Sequence, residues 1–213
     1  MKLAIVAGGP ESLLPDLRSP EYCDYQWIGA DHGTIVLMNN QIRPIRAFGD
    51  FDSLSDNEKE DVAKLGLRLY KYPAEKDKTD LELALDWALS QNPERCLLFG
   101  VTGGRQDHAL ASVQLLMKAV DLKTELAIVD QKNCITLLTP GAYHIQKNPD
   151  YRYLSFLAFT EKVAGLTLSG VKYPLQEAVL PMGSSLCISN EAEEDILAVT
   201  FSQGYLLMMR CSD

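Results

Sequence analysis

Asp50 and Asp52 stand two residues apart in Gly49-Asp50-Phe51-Asp52-Ser53, directly after Arg46-Ala47-Phe48. If that short run ends a strand, the chain leaves the sheet at Gly49 and both carboxylates lie at its mouth. Side chains at i and i+2 share a face while the chain stays extended, so the pair can converge on one ion. Two bare carboxylates about 4 Å apart repel by roughly 4 kcal/mol at an effective dielectric near 20, a cost that a proton or a divalent cation removes. Taken alone, the pair reads as a polar loop with two solvated aspartates. Two further constellations change the balance. Lys78-Thr79-Asp80 closes a charged loop that begins at Tyr72, and Thr79 with Glu82 has the spacing of a capping box. Asp80 then falls in the first turn of a helix, where the macrodipole favours negative charge; helix initiation is its structural role. Gly103-Gly104-Arg105-Gln106-Asp107-His108 lies between the apolar run Cys96–Gly100 and a stretch with Leu110, Val113, Met117 and Val120 at helical spacing. A strand, two glycines and a helix N-terminus make an anion site, because backbone N–H groups point outward and glycine permits close approach. Arg105 adds a fork of donors suited to phosphate. Asp107 either caps this helix or faces the same mouth as Asp50. His32, beside a turn, reads as a surface residue, and His108 as packing beside Asp107.

The elements that must position these residues alternate. Leu3–Ala7 reads as a buried strand ended by Gly8-Gly9-Pro10, and Trp27–Ala30 as a second strand closing on Asp31-His32-Gly33. Thr34–Met38 is apolar and of ambiguous type. Ser55-Asp56-Asn57-Glu58 fits a capping box for a helix carrying Val62 and Leu65 and stopped at Gly66; Leu67–Tyr70 alternates as a strand does. Leu81, Leu85 and Leu89, with Ala84 and Ala88 beside them, form a helical stripe. Cys96–Gly100 and Leu126–Val129 are further buried strands. Strands alternating with helices predict a mostly parallel sheet flanked by helices, which binds ligands at the carboxyl ends of its strands. Neither a dinucleotide fingerprint nor a Gly-x-x-x-x-Gly-Lys phosphate loop occurs.

Near residue 135 the texture changes. Thr139-Pro140-Gly141 is a turn, and short runs follow at 153–159, 166–168, 186–188, 197–201 and 205–209, separated by Gly, Pro and Ser. This predicts a small all-β sandwich, with Ser202-Gln203-Gly204 as a hairpin turn. Ser189-Asn190-Glu191 reads as a surface loop whose donors and acceptors can also recognise a small polar ligand. The expected domains are 1–135, α/β, and 136–213, β-sandwich.

At 213 residues with 46% hydrophobic and 23% charged composition, the chain can bury a sizeable core. A net charge of −9 argues against a nucleic-acid groove, but not against a phosphate-bearing small molecule whose charge is offset locally. No run reaches the roughly 18 apolar residues of a membrane span, and the N-terminal run is too short for a signal peptide. The five cysteines, at 23, 96, 134, 187 and 211, show no metal-type spacing and read as reduced packing residues of a cytoplasmic protein.

Gly49–Ser53, Lys76–Glu82, Gly103–His108, Gly170-Val171-Lys172-Tyr173-Pro174-Leu175 and Ser189-Asn190-Glu191, in this order, resemble the motifs of the thiamine pyrophosphokinase family. The resemblance spans nearly the whole chain. It implies an α/β domain that binds ATP and Mg²⁺, a β-sandwich that binds thiamine and mediates a homodimer with sites shared between subunits, and transfer of the terminal diphosphate of ATP to thiamine. It also implies roles. Asp50, Asp52 and Asp80 match the acidic positions that handle Mg²⁺ and the ATP phosphates. Lys78, Thr79, Gly103, Gly104 and Arg105 match phosphate-facing positions. Arg105 and Asp107 match the family's third motif, near the phosphates and the thiamine hydroxyl, and Ser189 with Asn190 the thiamine-contacting motif; the cationic thiazolium suits an acidic pocket, to which Glu191 contributes. Asp107 then orients the hydroxyl or accepts its proton, with metal or ligand binding as the alternative. Pro44-Ile45-Arg46 replaces the Pro-Asp of many relatives, and no aromatic residue closely follows Asn190, where some relatives stack a tryptophan. Three rivals stand beside this reading: a haloacid-dehalogenase-type phosphatase built on Asp50-Phe51-Asp52, a silent thiamine- or nucleotide-binding module, and a relative acting on another alcohol.

Overall fold

The computed structural model describes residues 1–49, 55, 59, 60, 62, 69, 70 and 77–213. The chain divides into two compact units, Met1–Gln131 and Lys132–Asp213. In the first, six strands form a parallel sheet: β1 (Lys2–Val6), β2 (Tyr25–Ala30), β3 (Arg46–Phe48), β4 (Leu69–Tyr70), β5 (Arg95–Phe99) and β6 (Glu125–Val129), in the order β6-β5-β1-β2-β3-β4. Their sequences show why the sheet is buried on both faces. β1, β5 and β6 are near-continuous apolar runs, the pattern of a parallel strand covered by helices, and Leu3, Ile5, Leu98, Phe99 and Ile128 have no accessible surface.

Helices cover this sheet. Thr34–Met38, ambiguous from periodicity, forms helix α1 (Gly33–Asn39), buried from Gly33 to Leu37. Helix α2 (Asp80–Ser90) buries Ala84, Leu85, Ala88 and Leu89, the expected stripe, while Leu81 is only partly covered. Its Trp87 packs against β3, with the Arg46 guanidinium 4.2 Å from the indole centroid and the Phe48 ring 6.2 Å away. Helix α3 (Gln106–Leu115) departs from expectation. Its α-helical hydrogen bonding ends at Leu115 and a 3-10 turn, Leu116–Ala119, continues it; Leu110 is 63% exposed and only Ser112 of α3 is buried. Lys59, Glu60 and Val62 are helical; the rest of the Ser55–Gly66 prediction lies largely outside the described residues.

The second unit is an antiparallel sandwich. One sheet runs β12-β9-β14-β7 and the other β11-β10-β13-β8, from β7 (Asn133–Leu138), β8 (Gly141–Gln146), β9 (Tyr153–Ala158), β10 (Lys162–Ser169), β11 (Leu175–Pro181), β12 (Asn190–Glu191), β13 (Ile196–Phe201) and β14 (Leu206–Cys211). Phe156, Leu206 and Met208 from the first sheet meet Val163, Leu166, Leu180, Leu197 and Val199 from the second in one core. Two expectations fail here. Leu186–Ile188 is a turn and not a strand, since Leu186 and Ile188 are exposed and only Cys187 enters the core. Ser202-Gln203-Gly204 does not close a hairpin: it carries the chain from β13 in one sheet to β14 in the other, with Gly204 at φ 87°.

Candidate active site

The chain lays β2, β3 and β4 on one side of β1, then crosses over to lay β5 and β6 on the other. The loops leaving β1 and β5 therefore diverge at the carboxyl edge, the crevice where open parallel sheets bind ligands. A cleft of about 1000 Å³ lies at this point. It is walled by Ala7–Glu11 after β1, Ala30–His32 after β2, Asp77–Leu81 at the start of α2, and Gly100, Val101 and Gly103–Arg105 after β5; His108 and Ser112 of α3 also face it. The two central loops touch backbone to backbone. Gly9 donates its N–H to Gly100 O at 2.8 Å, and a Cβ on Gly9 would lie 2.4 Å from that oxygen. Only glycine fits there.

Beyond Gly100 the chain turns through Gly103 and Gly104, both at positive φ (71° and 62°), into α3. Pro10 and Leu13 back this turn: a Cβ on Gly103 would meet Leu13 Cδ1 at 2.5 Å. The N-cap is Arg105, not Asp107. Asp107 lies in the first turn, where its Oδ1 accepts the His108 N–H at 2.9 Å. Arg105 and Asp107 form an exposed two-pronged pair, Nε to Oδ1 at 3.1 Å and Nη2 to Oδ2 at 2.6 Å. The guanidinium, helped by the His108 N–H, holds the Asp107 carboxyl down at about 2, and the carboxylate raises Arg105 in turn.

On the opposite wall, Thr79 caps α2, its hydroxyl accepting the Glu82 N–H at 3.2 Å. The other half of the expected box is diverted, since Glu82 reaches Lys118 Nζ at 2.9 Å. Asp80 opens the helix and lines the cleft. Lys78 also lines it, but its ammonium rests on Asp86 Oδ2 at 2.7 Å, while Lys118 takes Asp86 Oδ1 at 2.7 Å. Burial works to raise the Asp86 carboxyl; the two ammonium groups outweigh it and hold the carboxyl below the usual range. Asp86 is six residues beyond Asp80, about 9 Å along the helix axis, so Lys78 lies down the flank of α2 and meets a ligand at the helix start only by leaving Asp86.

Asp50 and Asp52 lie outside the described residues. Among the described residues no cluster of three or more His, Cys, Asp or Glu is placed to hold a metal. The cleft is nevertheless acidic: Glu11, Asp31, Asp77 and Asp80 line it against Lys78 and Arg105. Sequence reasoning passed over Glu11, Asp31, Gly9 and Ser112. The available signal was position, because each follows a strand or sits in the second turn of α3. Ser189 and Asn190 belong to the second unit. Ser189 is exposed at φ 58°, its N–H on Ser155 Oγ at 2.9 Å. Asn190 is not a surface loop residue; it is 2% exposed. Its Oδ1 accepts the N–H of Tyr173 and of Glu191, each at 3.0 Å, and its Nδ2 donates to Tyr173 O at 2.9 Å. Glu191 carries Lys172 at 3.0 Å and Arg152 at 3.7 Å. The Tyr173 ring stands 58% exposed beside them.

A parallel sheet with a glycine-lined cleft at its topological switch point, an arginine at a helix N-terminus and carboxylates opposite is the architecture of the nucleotide- and phosphate-binding α/β class. The chain belongs to the thiamin pyrophosphokinase family. Residues 22–129 match its catalytic domain and residues 142–206 its vitamin B1 binding domain. The chain is 46% identical over 211 residues to thiamine pyrophosphokinase of Bacillus subtilis, covering 98% of both chains. A crystal structure of thiamine pyrophosphokinase from that organism superimposes with a TM-score of 0.95 at 45% identity, and one from Geobacillus thermodenitrificans with 0.90 at 47%; the superpositions cover 100% of this chain and 100% and 98% of theirs. Yeast thiamin pyrophosphokinase, at 15% identity and TM-score 0.81 over 99% of this chain and 86% of its own, shares the fold.

Proposed function

We propose that the protein is an ATP-dependent diphosphotransferase that moves the terminal diphosphate of ATP to the hydroxyl of thiamine, giving thiamine diphosphate and AMP. The observation that carries this is the match of both halves of one chain to the two domains of one enzyme family. It leaves the phosphatase and the silent binding module without support. The hydroxyl attacks the β-phosphorus and AMP leaves in line, a reaction governed by positioning and charge neutralisation.

The roles follow from the cleft. Gly103 and Gly104 free the backbone to approach phosphate oxygens, with Arg105 and Lys78 supplying cationic donors after releasing Asp107 and Asp86, and Thr79 fixing the start of α2. Four carboxylates face two fixed cations among the described lining residues, so a polyphosphate needs further countercharge. The all-oxygen donor set suits Mg²⁺, which takes one or two carboxylates together with phosphate oxygens and water; Asp80, with Asp50 and Asp52, would hold it. When bound, the ion neutralises charge on the phosphates. Asp107 orients the hydroxyl; at about 2 it is too weak a base to take the proton while Arg105 holds it. In the second unit, Ser189 and Tyr173 face thiamine and Asn190 supports them. We place the homodimer contact on β11 and the loop after it, where Val179, Met182, Leu186 and Ile188 are exposed. No described helix is long and apolar enough to cross a membrane; the five free cysteines favour the cytoplasm.

The test is AMP release from ATP and Mg²⁺ with and without thiamine. Equal amounts of AMP and thiamine diphosphate, formed only with thiamine, are expected. ADP or free phosphate in their place would exclude diphosphoryl transfer.

A further inference from the structure

Asp130 follows β6 and is 5% exposed, a buried carboxylate away from the cleft wall. Its Oδ2 accepts the Thr102 hydroxyl at 2.7 Å across 28 residues of sequence. Thr102 immediately precedes Gly103 and Gly104, two residues at positive φ packed on Pro10 and Leu13. The next residue, Gln131, donates its N–H to Leu13 O at 2.7 Å, and Leu13 is the side chain against which Gly103 packs. The end of β6 thus grips both loops that meet at the glycine turn, one through a carboxylate and one through the backbone.

We infer that Asp130 is a positioning residue for diphosphoryl transfer: through Thr102 it sets the register of the Gly103-Gly104-Arg105 turn and so the affinity for the ATP phosphates. A hydrogen bond to a carboxylate is about twice as strong as a neutral one and short when well aligned, and the 2.7 Å separation agrees. Its loss removes the tie between the end of β6 and the turn, and frees the turn to sample other conformations. The inference rests on the reading that this turn takes the phosphates of ATP.

The experiment compares Thr102→Val, Thr102→Ser, Asp130→Asn and Arg105→Ala in the full chain, measuring KM for ATP, KM for thiamine, kcat and Tm. Thr102→Val and Asp130→Asn are expected to raise KM for ATP about tenfold while KM for thiamine moves less than about twofold, and Thr102→Ser is expected to restore the ATP value. If Arg105→Ala raises KM for ATP and Thr102→Val does not, the phosphate reading of the turn stands and the positioning role is refuted. If Thr102→Val lowers Tm and raises both KM values alike, the bond is merely structural and the inference also fails. If Arg105→Ala leaves KM for ATP unchanged, the phosphate reading itself is wrong and the inference falls with it. Thr102→Val keeps shape and removes one hydroxyl, so it decides the matter should Asp130→Asn not fold.

Discussion

Arg105, on the cleft wall, and Asp107 beside it neutralise one another, and the proposed function gives each a second use. A guanidinium that turns to a phosphate releases its carboxylate, and a released carboxylate regains basicity. NMR titration of the Asp107 carboxyl should therefore give a midpoint near 2 in the native protein and one nearer the ordinary value of about 3.9 in Arg105→Ala. Because the folded value is depressed, the pair's contribution to stability is complete above about pH 4 and is lost as pH falls through about 2. A native midpoint at the ordinary value would show that the pair does not hold in solution. Asp80→Asn should lower kcat by about 10²-fold while costing the fold only about 0.5 kcal/mol of helix-dipole interaction; urea unfolding beside steady-state kinetics separates the two, and equal losses would make Asp80 a helix-start residue alone. At this scale Asp80 stood out through its motif and its place at a helix start, whereas Glu11 and Asp31, which line the same cleft after β1 and β2, lie in no motif and were passed over. Asn190 was legible as a residue and not as a structure. Its partners are backbone groups of Tyr173, 17 positions away, and nothing in Ser189-Asn190-Glu191 announces burial.

Helix α2 was read correctly because its signals are local: a capping threonine, acids in the first turn and an apolar stripe of period 3.6. Thr79→Ala should cost about 1 kcal/mol in urea unfolding, with Thr79→Ser recovering most of it; no change would mean that the cap is replaced by water. The four-residue ion network of Lys78, Asp86, Lys118 and Glu82 has no such signature, since Lys118 comes from the turn after α3. Helix α3 was misjudged for a related reason. Its four apolar positions suit a regular helix, but the backbone tightens to 3-10 geometry at Leu116, so residues before and after that point cannot share one stripe. The β-strands of the second unit were legible as alternating runs, whereas the assignment of each to a sheet was not, because turns such as Ser202–Gly204 look alike whether they close a hairpin or cross a sandwich.

For the molecule as a whole, the net charge of −9 sets the balance against a free polyphosphate, which is why the acidic cleft and a divalent cation belong to one explanation. Activity should fall to background on chelation with EDTA and return with Mg²⁺; activity that survives chelation would require the carboxylates to be reassigned. Leu186→Asp should shift the protein toward monomer in sedimentation velocity, placed as it is in the exposed apolar run of the second unit. A sedimentation coefficient unchanged by the substitution would move the proposed interface elsewhere.

In the first sheet of the second unit, β14 lies between β7 and β9 and pairs with both along its length. Of the four strands β12, β9, β14 and β7, the one latest in sequence is therefore an inner one. During synthesis β7 and β9 emerge long before the segment that joins them, each with an open edge and no neighbour to close it. Without residues 206–211 neither β7 nor β9 has a partner on the edge that faces β14, so this sheet is completed by a segment made after both. Nascent chains halted before Leu206 should be protease-sensitive throughout the second unit, and the exposed edges of β7 and β9 are where a waiting chaperone would be of most use.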